Sequence, residues 1–124
     1  MTVGWSAEQL DLIGQSAELD IASRRVGGTL RSPVPIWVVG VEGAVYVRTW
    51  YRRTTGWFGH VIEVPRAHIH VPGLDADVIV TDLGDGPSGL RASVDAAYRS
   101  KYGAGHRSMV TDDAAATTLR LDPQ

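Results

Sequence analysis

The chain has 124 residues and a net charge of −2, with 44% hydrophobic and 21% charged residues. These values predict a single soluble globular domain over residues 1–124 and exclude a disordered chain. The slightly acidic balance excludes a general attraction for nucleic acid or acidic membranes, and the absence of cysteine excludes disulfides and thiolate chemistry.

The N-terminal segment predicts a short amphipathic helix. Residues 6–9, Ser-Ala-Glu-Gln, fit a capping box, and apolar residues follow at helical spacing, so the helix should end between Gly14 and Ala17. Glu8 and Asp11 precede any long apolar run, so we do not expect a signal peptide. Since no run of about 18 apolar residues occurs, we expect a cytoplasmic protein that does not span a membrane.

The next segment alternates between apolar and polar residues and predicts a first strand. Residues 19–25 would form this strand, and Gly27 and Gly28 would turn the chain back into residues 29–31. The alternative is one helix over residues 7–25 with Gly27 as its C-terminal cap. We favour the strand, because small and polar residues would weaken so long a helix.

A β-hairpin is the strongest local prediction, and it lies within residues 29–51. Residues 36–41 are apolar on both faces and predict a central strand, entered at an edge or bulge because Pro33 and Pro35 cannot donate to a ladder. Glu42 and Gly43 form a two-residue break, after which the apolar pattern resumes.

The second strand of this hairpin alternates between two faces. Val45 and Val47 share one face, while Tyr46, Arg48 and Trp50 share the other. A cation between two aromatic residues could form the floor of a pocket for a flat anionic ligand.

The remaining elements follow from local patterns. Residues 52–60 predict a polar loop with one helical turn, and residues 66–71 and 77–83 predict strands joined by a Pro-Gly turn. Residues 84–89 form a loop, residues 90–102 a helix ended by Gly103, and residues 116–121 a last strand. Five or six strands, mostly in sequential hairpins with a helix at each side, predict a mainly β, α+β fold: an antiparallel barrel with packed helices.

The order of these segments resembles the flavin-binding split barrels. The segments LDIASRR, GG, TLRSPVPIWVV, EG and AVYVRT, followed by a Gly-Trp loop, are similar to that superfamily, which includes pyridoxamine-phosphate oxidases, flavin reductases and deazaflavin-dependent nitroreductases. The segments PVPIWVV, YVRT, AAYRSKYG and TTLRL resemble more closely a bacterial family described as a domain of unknown function. The likeness covers residues 5–123.

This resemblance implies a homodimeric split barrel that binds FMN or a deazaflavin in a groove between subunits and acts as a small-molecule oxidoreductase. Arg48, with Arg52 or Arg53 in place of the usual Ser-x-Lys element, would hold the phosphate, and two tryptophans would wall the ring. It identifies no catalytic residue. Carried over by position, the cofactor-binding residues are Arg48, Thr49, Arg52, Arg53, Thr55, Gly56, Trp57 and Trp37.

Two alternatives remain open. The same fold could bind or rearrange a small aromatic or anionic metabolite without a cofactor, as an isomerase or cyclase would. The motif His68-Ile69-His70 with Asp75 resembles the metal-binding pattern of cupins, although a solvent-facing histidine pair opposite buried Ile69 and Val71 explains the same pattern. We favour the solvent-facing pair and predict no metal site.

Overall fold

Among residues 4–49 and 56–124, which the computed structural model describes, seven antiparallel strands form one curled sheet with helices packed around it. The strands are β1 (Leu19–Ser23), β2 (Val34–Ile36), β3 (Val39–Val41), β4 (Ala44–Val47), β5 (Arg66–Val71), β6 (Leu74–Gly84) and β7 (Thr118–Pro123). The helices are α1 (Ala7–Gln15), α2 (Gly56–Glu63), α3 (Ser88–Tyr102) and α4 (Asp112–Ala115), with a 3-10 helix at Gly103–Met109. The predicted antiparallel split barrel with flanking helices is confirmed.

The order of the strands explains why the sheet curls. The order is β2-β1-β5-β6-β7-β4-β3, so β2 and β3 lie at opposite edges although only Trp37 and Val38 separate them in the chain. Three peptide units span at most about 11 Å, so the two edges must come close together. The short link between β2 and β3 therefore bends the sheet into a barrel.

The prediction of one central strand over residues 36–41 is consequently wrong. The run divides into two edge strands, and its burial on both sides comes from the barrel interior and from α3. Ile36 and Val38 belong to the barrel core, whereas Val39 packs in a second cluster beside α3. The expected edge position of the proline-rich entry is confirmed, since β2 pairs with β1 alone.

Several local predictions are confirmed. Helix α1 begins with the capping box: the Ser6 hydroxyl accepts from the Gln9 amide at 3.1 Å, and the Gln9 side chain accepts from the Ser6 amide at 2.9 Å. The chain leaves the helix at Ser16 and enters β1, which excludes the alternative of one helix over residues 7–25. Strand β5 has the predicted bounds, and α3 ends at Gly103 as expected.

Other elements differ from their predictions. Helix α2 has eight residues instead of one turn, and the 3-10 helix and α4 were not predicted. Strand β6 begins at Leu74 because Val71 pairs directly with it across the tight turn at Pro72 and Gly73. Strand β7 begins two residues later than predicted, since residues up to Thr117 close the turn after α4.

Strand β4 separates two hydrophobic clusters. Val45 and Val47 face the barrel core, whereas Tyr46 faces the second cluster together with Val94 and Tyr98 of α3. This alternation agrees with the two faces predicted for the strand. The second cluster attaches the C-terminal helices to the outside of the barrel.

The β3–β4 turn gives a first testable prediction. Glu42 and Gly43 have φ angles of 49° and 82°, as a type I′ turn requires. Gly43→Ala should lower the free energy of unfolding by about 1 kcal/mol, because a Cβ disfavours this left-handed conformation. Gly14→Ala in α1 is the matched control and should raise it by about 0.5–1 kcal/mol, since a Cβ there meets no atom within 4 Å. Equal stability of the two variants in urea unfolding would contradict the assignment.

Candidate functional site

Arg48 lies directly after β4 and is fully buried. Its Nε donates to the hydroxyl of Thr118 at 2.9 Å, and its Nη1 donates to the carboxylate of Asp95 at 2.5 Å and to the carbonyl of Met109 at 2.8 Å. These bonds connect the end of β4 with β7, α3 and the 3-10 helix. A guanidinium suits this position because its planar donors can serve several acceptors at once.

Among the residues that the structure describes, two buried polar atoms beside this network have no hydrogen-bond partner. They are Nη2 of Arg48 and the hydroxyl of Tyr98, whose ring centroid lies 5.7 Å from the guanidinium carbon. Burial raises the pKa of the Tyr98 hydroxyl well above its ordinary value, so this group stays neutral. Nη2 is thus the Arg48 nitrogen that could still donate to a phosphate, and that role stays a prediction.

The other predicted cofactor residues near Arg48 are placed as follows. Thr49 is buried, and its backbone amide and carbonyl both bond to the hydroxyl of Thr117 at 3.0 Å. Gly56 begins α2 with a φ of 64°, and Trp57 packs half-buried on the barrel core with an edge contact to Phe58. These residues therefore lie on either side of residues 50–55, between β4 and α2. Arg52, Arg53 and Thr55 lie outside the described residues.

Trp37 packs in a different hydrophobic cluster from Trp57. Its ring stacks on that of Tyr102, with centroids 4.0 Å apart and planes 2° from parallel, and a Cβ at Gly105 would come within 3.2 Å of it. One face is therefore taken by Tyr102. Trp37 packs with the second cluster and Trp57 with the barrel core, so one chain does not pair them around a ring.

A groove of about 510 Å³ opens between α1, the β3–β4 hairpin and α3. Lys101 lines it, and its Nζ donates to the carbonyl of Val38 at 2.8 Å and to that of Ile13 at 3.4 Å. Burial lowers the pKa of this amine to about 8. The sequence interpretation assigned no role to Lys101. Its signal was compositional, because it is the one lysine among twelve basic residues.

The histidine motif forms an exposed charge cluster. His68 contacts the carboxylate of Asp77 through Nδ1 at 3.0 Å and that of Asp75 through Nε2 at 3.3 Å, and His70 contacts Asp75 at 3.0 Å. Arg24 extends this cluster, with its Nη2 2.8 Å from Oδ1 of Asp77. The hydrogen bond to Asp77 is the largest cause that raises the pKa of His68, and it lowers the pKa of Asp77 in turn.

This cluster does not have the geometry of a metal centre. Within residues 4–49 and 56–124, no group of three or more histidine, aspartate or glutamate side chains is arranged to hold a metal ion. Ile69 and Val71 are buried on the opposite face, so the solvent-facing interpretation of the histidine pair is confirmed. The imidazole nitrogens pair with neighbouring carboxylates instead.

The sequence comparison assigns the chain to a family. Residues 9–121 match the family described as an uncharacterized protein conserved in bacteria, DUF2255. The chain belongs to DUF2255. This agrees with the bacterial family that the segments PVPIWVV and AAYRSKYG suggested. No curated protein sequence matches this DUF2255 chain.

Solved structures with the same fold include proteins of several kinds. The heme storage protein HutZ from Vibrio cholerae is 14% identical, with a TM-score of 0.68 over 98% of this chain and 92% of that one. A NimC/NimA family protein from Clostridium acetobutylicum is 16% identical, with a TM-score of 0.65 over 93% and 79%. An F420 reductase is 12% identical, with a TM-score of 0.55 over 92% and 91%. At these identities the likeness shows the fold alone.

No helix in residues 4–49 and 56–124 combines the length and apolar character that crossing a membrane requires.

Removal of the buried guanidinium tests the structural role of Arg48. Arg48→Met should lower the free energy of unfolding by about 3–5 kcal/mol, because Asp95, Thr118 and the Met109 carbonyl would lose their donor inside the protein. Arg99→Met, on the exposed side of α3, is the control and should leave stability unchanged. Urea unfolding measures both variants. A loss no larger than that of the control would show that the network does not support the fold.

The histidine cluster predicts a pH-dependent stability. The raised pKa of His68 contributes folding stability that is complete below about pH 6.5 and is lost as the pH rises through the pKa of His68 in the folded protein. The lowered pKa of Asp77 gives one that is present above about pH 3.8 and disappears in acid. His68→Gln should therefore reduce the melting temperature more at pH 5.5 than at pH 8.5, by a small amount because the pair is exposed. His60→Gln is the histidine control. If His68→Gln reduces the melting temperature equally at pH 5.5 and pH 8.5, this linkage is excluded.

Proposed function

We propose that this DUF2255 protein binds FMN or a deazaflavin in a groove between two copies of the chain and acts as a cytoplasmic small-molecule oxidoreductase. The split-barrel fold supports this function, as does the structural likeness to an F420 reductase over most of both chains. The observation that carries it is the buried Nη2 of Arg48, directly after β4, which has no acceptor among the described residues.

These residues fit the phosphate end of such a cofactor. Arg52, Arg53 and Thr55 follow Arg48 in the sequence, and α2 then begins at Gly56. Guanidinium groups donate well to phosphate oxygens, and the unpaired amides of a helix N-terminus favour the same anion. The sequence thus concentrates three types of phosphate donor, namely guanidinium groups, a hydroxyl and helix N-terminal amides, within residues 48–56.

The ring end of the cofactor needs aromatic surface, for which Trp57 and Trp37 are the proposed contacts. Trp57 is half-buried against the barrel core, and its large apolar ring would exclude water from one side of the groove. Trp37 keeps one ring face that Tyr102 does not cover. Because the two tryptophans pack in different clusters, we assign them to opposite sides of an intersubunit groove.

The chemistry would be divided between the cofactor and the chain. When bound, a flavin or deazaflavin supplies hydride transfer. The arginines would bind and orient its phosphate, and the tryptophans would position its ring and limit access of water. We assign no catalytic acid or base to this chain.

Exposed apolar side chains support the homodimer. Val26 is 80% exposed, and Leu30 and Val34 are 41% and 39% exposed on the same segment that leads into edge strand β2. Apolar side chains grouped near a sheet edge are typical of an interaction surface. We therefore propose that this edge contributes to the contact between two copies.

The decisive experiment is an absorption spectrum of the protein purified from a host that makes both flavin and deazaflavin, with mass spectrometry of the released molecule. We expect about one cofactor per chain. The double variant Arg52→Ala, Arg53→Ala should bind at least tenfold more weakly in titration, which corresponds to about 1.4 kcal/mol or more. Arg66→Ala on β5 removes an exposed arginine elsewhere and should bind as the parent does.

Three outcomes would contradict parts of this function. A colourless protein that binds neither FMN nor F420 on titration would exclude the cofactor. Unchanged affinity in the double arginine variant would show that the phosphate site is assigned to the wrong residues. A cofactor-loaded protein that sediments as a monomer would exclude the intersubunit groove.

A further inference from the structure

We propose that the groove between α1, the β3–β4 hairpin and α3 binds a small monocarboxylic acid with an apolar body, whose carboxylate pairs with the ammonium of Lys101. The groove has a volume of about 510 Å³, which is typical of a small-molecule site. Of the residues proposed to bind a flavin, those in the described part of the chain do not line it. The proposal therefore does not rest on the function proposed above.

The apolar walls of the groove are the reason that we propose an apolar body for the ligand. Leu10 and Ile13 of α1 form one wall, Val39 and Val41 of β3 form a second, and Ala97 of α3 contributes to the third. Strand β3 is an edge strand that pairs with β4 alone, so α1 and α3 pack beside its open edge. An aliphatic or aromatic chain in this space would remove apolar surface from water on both molecules.

The charge of Lys101 is the reason that we propose a carboxylate on the ligand. Among the described residues, its Nζ contacts neutral groups: the carbonyls of Val38 and Ile13, and the ring of Tyr102 at 5.3 Å. Within residues 4–49 and 56–124 this nitrogen forms no ion pair with a carboxylate, although the side chain is half-buried. A partly desolvated ammonium without a counter-ion is costly, and an anion in the groove would relieve that cost.

A purely structural role for Lys101 accounts for only part of this geometry. The amine does tie the end of α1 to the link between β2 and β3, through Ile13 and Val38. An ammonium has three N–H groups, however, and the contact to Ile13 at 3.4 Å is long for a hydrogen bond. At least one N–H remains available toward the open groove.

The other titratable groups around the groove define which acid fits. Glu42, exposed in the hairpin turn, lines the groove and would repel a second carboxylate. Tyr102 of α3 has its hydroxyl bonded to Val38 and Ala17, and burial raises the pKa of this hydroxyl, so it stays neutral where Lys101 titrates. One half-buried cation and one acidic residue favour a monocarboxylate over a diacid or a phosphate ester.

The test uses hexanoate and its neutral isostere hexanamide as probes, with binding followed by NMR shifts of the full chain. Hexanoate should move the amide signals of Val39 and Val41 and bind at least tenfold more tightly than hexanamide at pH 7. Its affinity should fall as the pH rises above about 8, where Lys101 loses its proton. Lys101→Met should remove the preference for the acid, whereas Arg99→Met, an exposed charge on the same helix, should keep it.

A second variant keeps the proposal testable if Lys101→Met does not fold. Glu42→Gln alters an exposed turn residue, and it should strengthen hexanoate binding about two- to fivefold without affecting hexanamide. Equal binding of the two probes by the parent, no binding of either, or an unchanged preference in Lys101→Met would overturn the proposal. The flavin titration uses different residues and probes, so its failure would leave these results unaffected.

Discussion

The buried guanidinium of Arg48 ties the barrel to the C-terminal helices, which also pack on it through the second hydrophobic cluster. The barrel is continuous through its sheet, but α3, the 3-10 helix and α4 attach to it through side chains and through β7. Arg48 reaches three of these elements from the end of β4, through Asp95, Met109 and Thr118. Burial of a charge is costly, and here a carboxylate, a carbonyl, a hydroxyl and an aromatic face offset that cost together.

Closure of the sheet is the second constraint, and it creates the space in which Lys101 lies. The chain crosses from one sheet edge to the other within two residues, so β3 ends the sheet with one side unpaired. Helices α1 and α3 pack beside that side instead of another strand. Since helices cannot follow a strand edge as closely as a strand does, a groove remains between them, and Lys101 contacts the carbonyls at its floor.

The sequence predicts the elements whose signals are local. The capping box at Ser6, the turn at Glu42 and Gly43, and the alternation of β5 each depend on neighbours a few positions away. The split of residues 36–41 between two edges could not be predicted, because it depends on strand pairing across the whole barrel. The 3-10 helix and α4 have too few turns to show a periodic pattern.

For the candidate sites, too, the sequence does not indicate contacts between distant positions. The arginine and tryptophan positions could be proposed because a resemblance supplied them, but the partners of Arg48 lie 47 and 70 positions away in Asp95 and Thr118. No spacing in the sequence indicates that this arginine is inside the protein. Lys101 was missed for a related reason, because its environment comes from two carbonyl groups and backbone atoms carry no signal in a sequence.

The fold itself leaves the ligand open, since proteins described as a heme storage protein and as an F420 reductase share it with this chain. What distinguishes ligands is the chemistry of the donors. At the proposed phosphate site the donors would be arginines, which stay charged at any physiological pH and suit a phosphate. In the groove the proposed donor is a single lysine whose charge depends on its surroundings, and the acidic residue that also lines the groove would disfavour highly charged anions. The two proposed sites would therefore select different molecules, and occupancy of one would not explain the residues of the other.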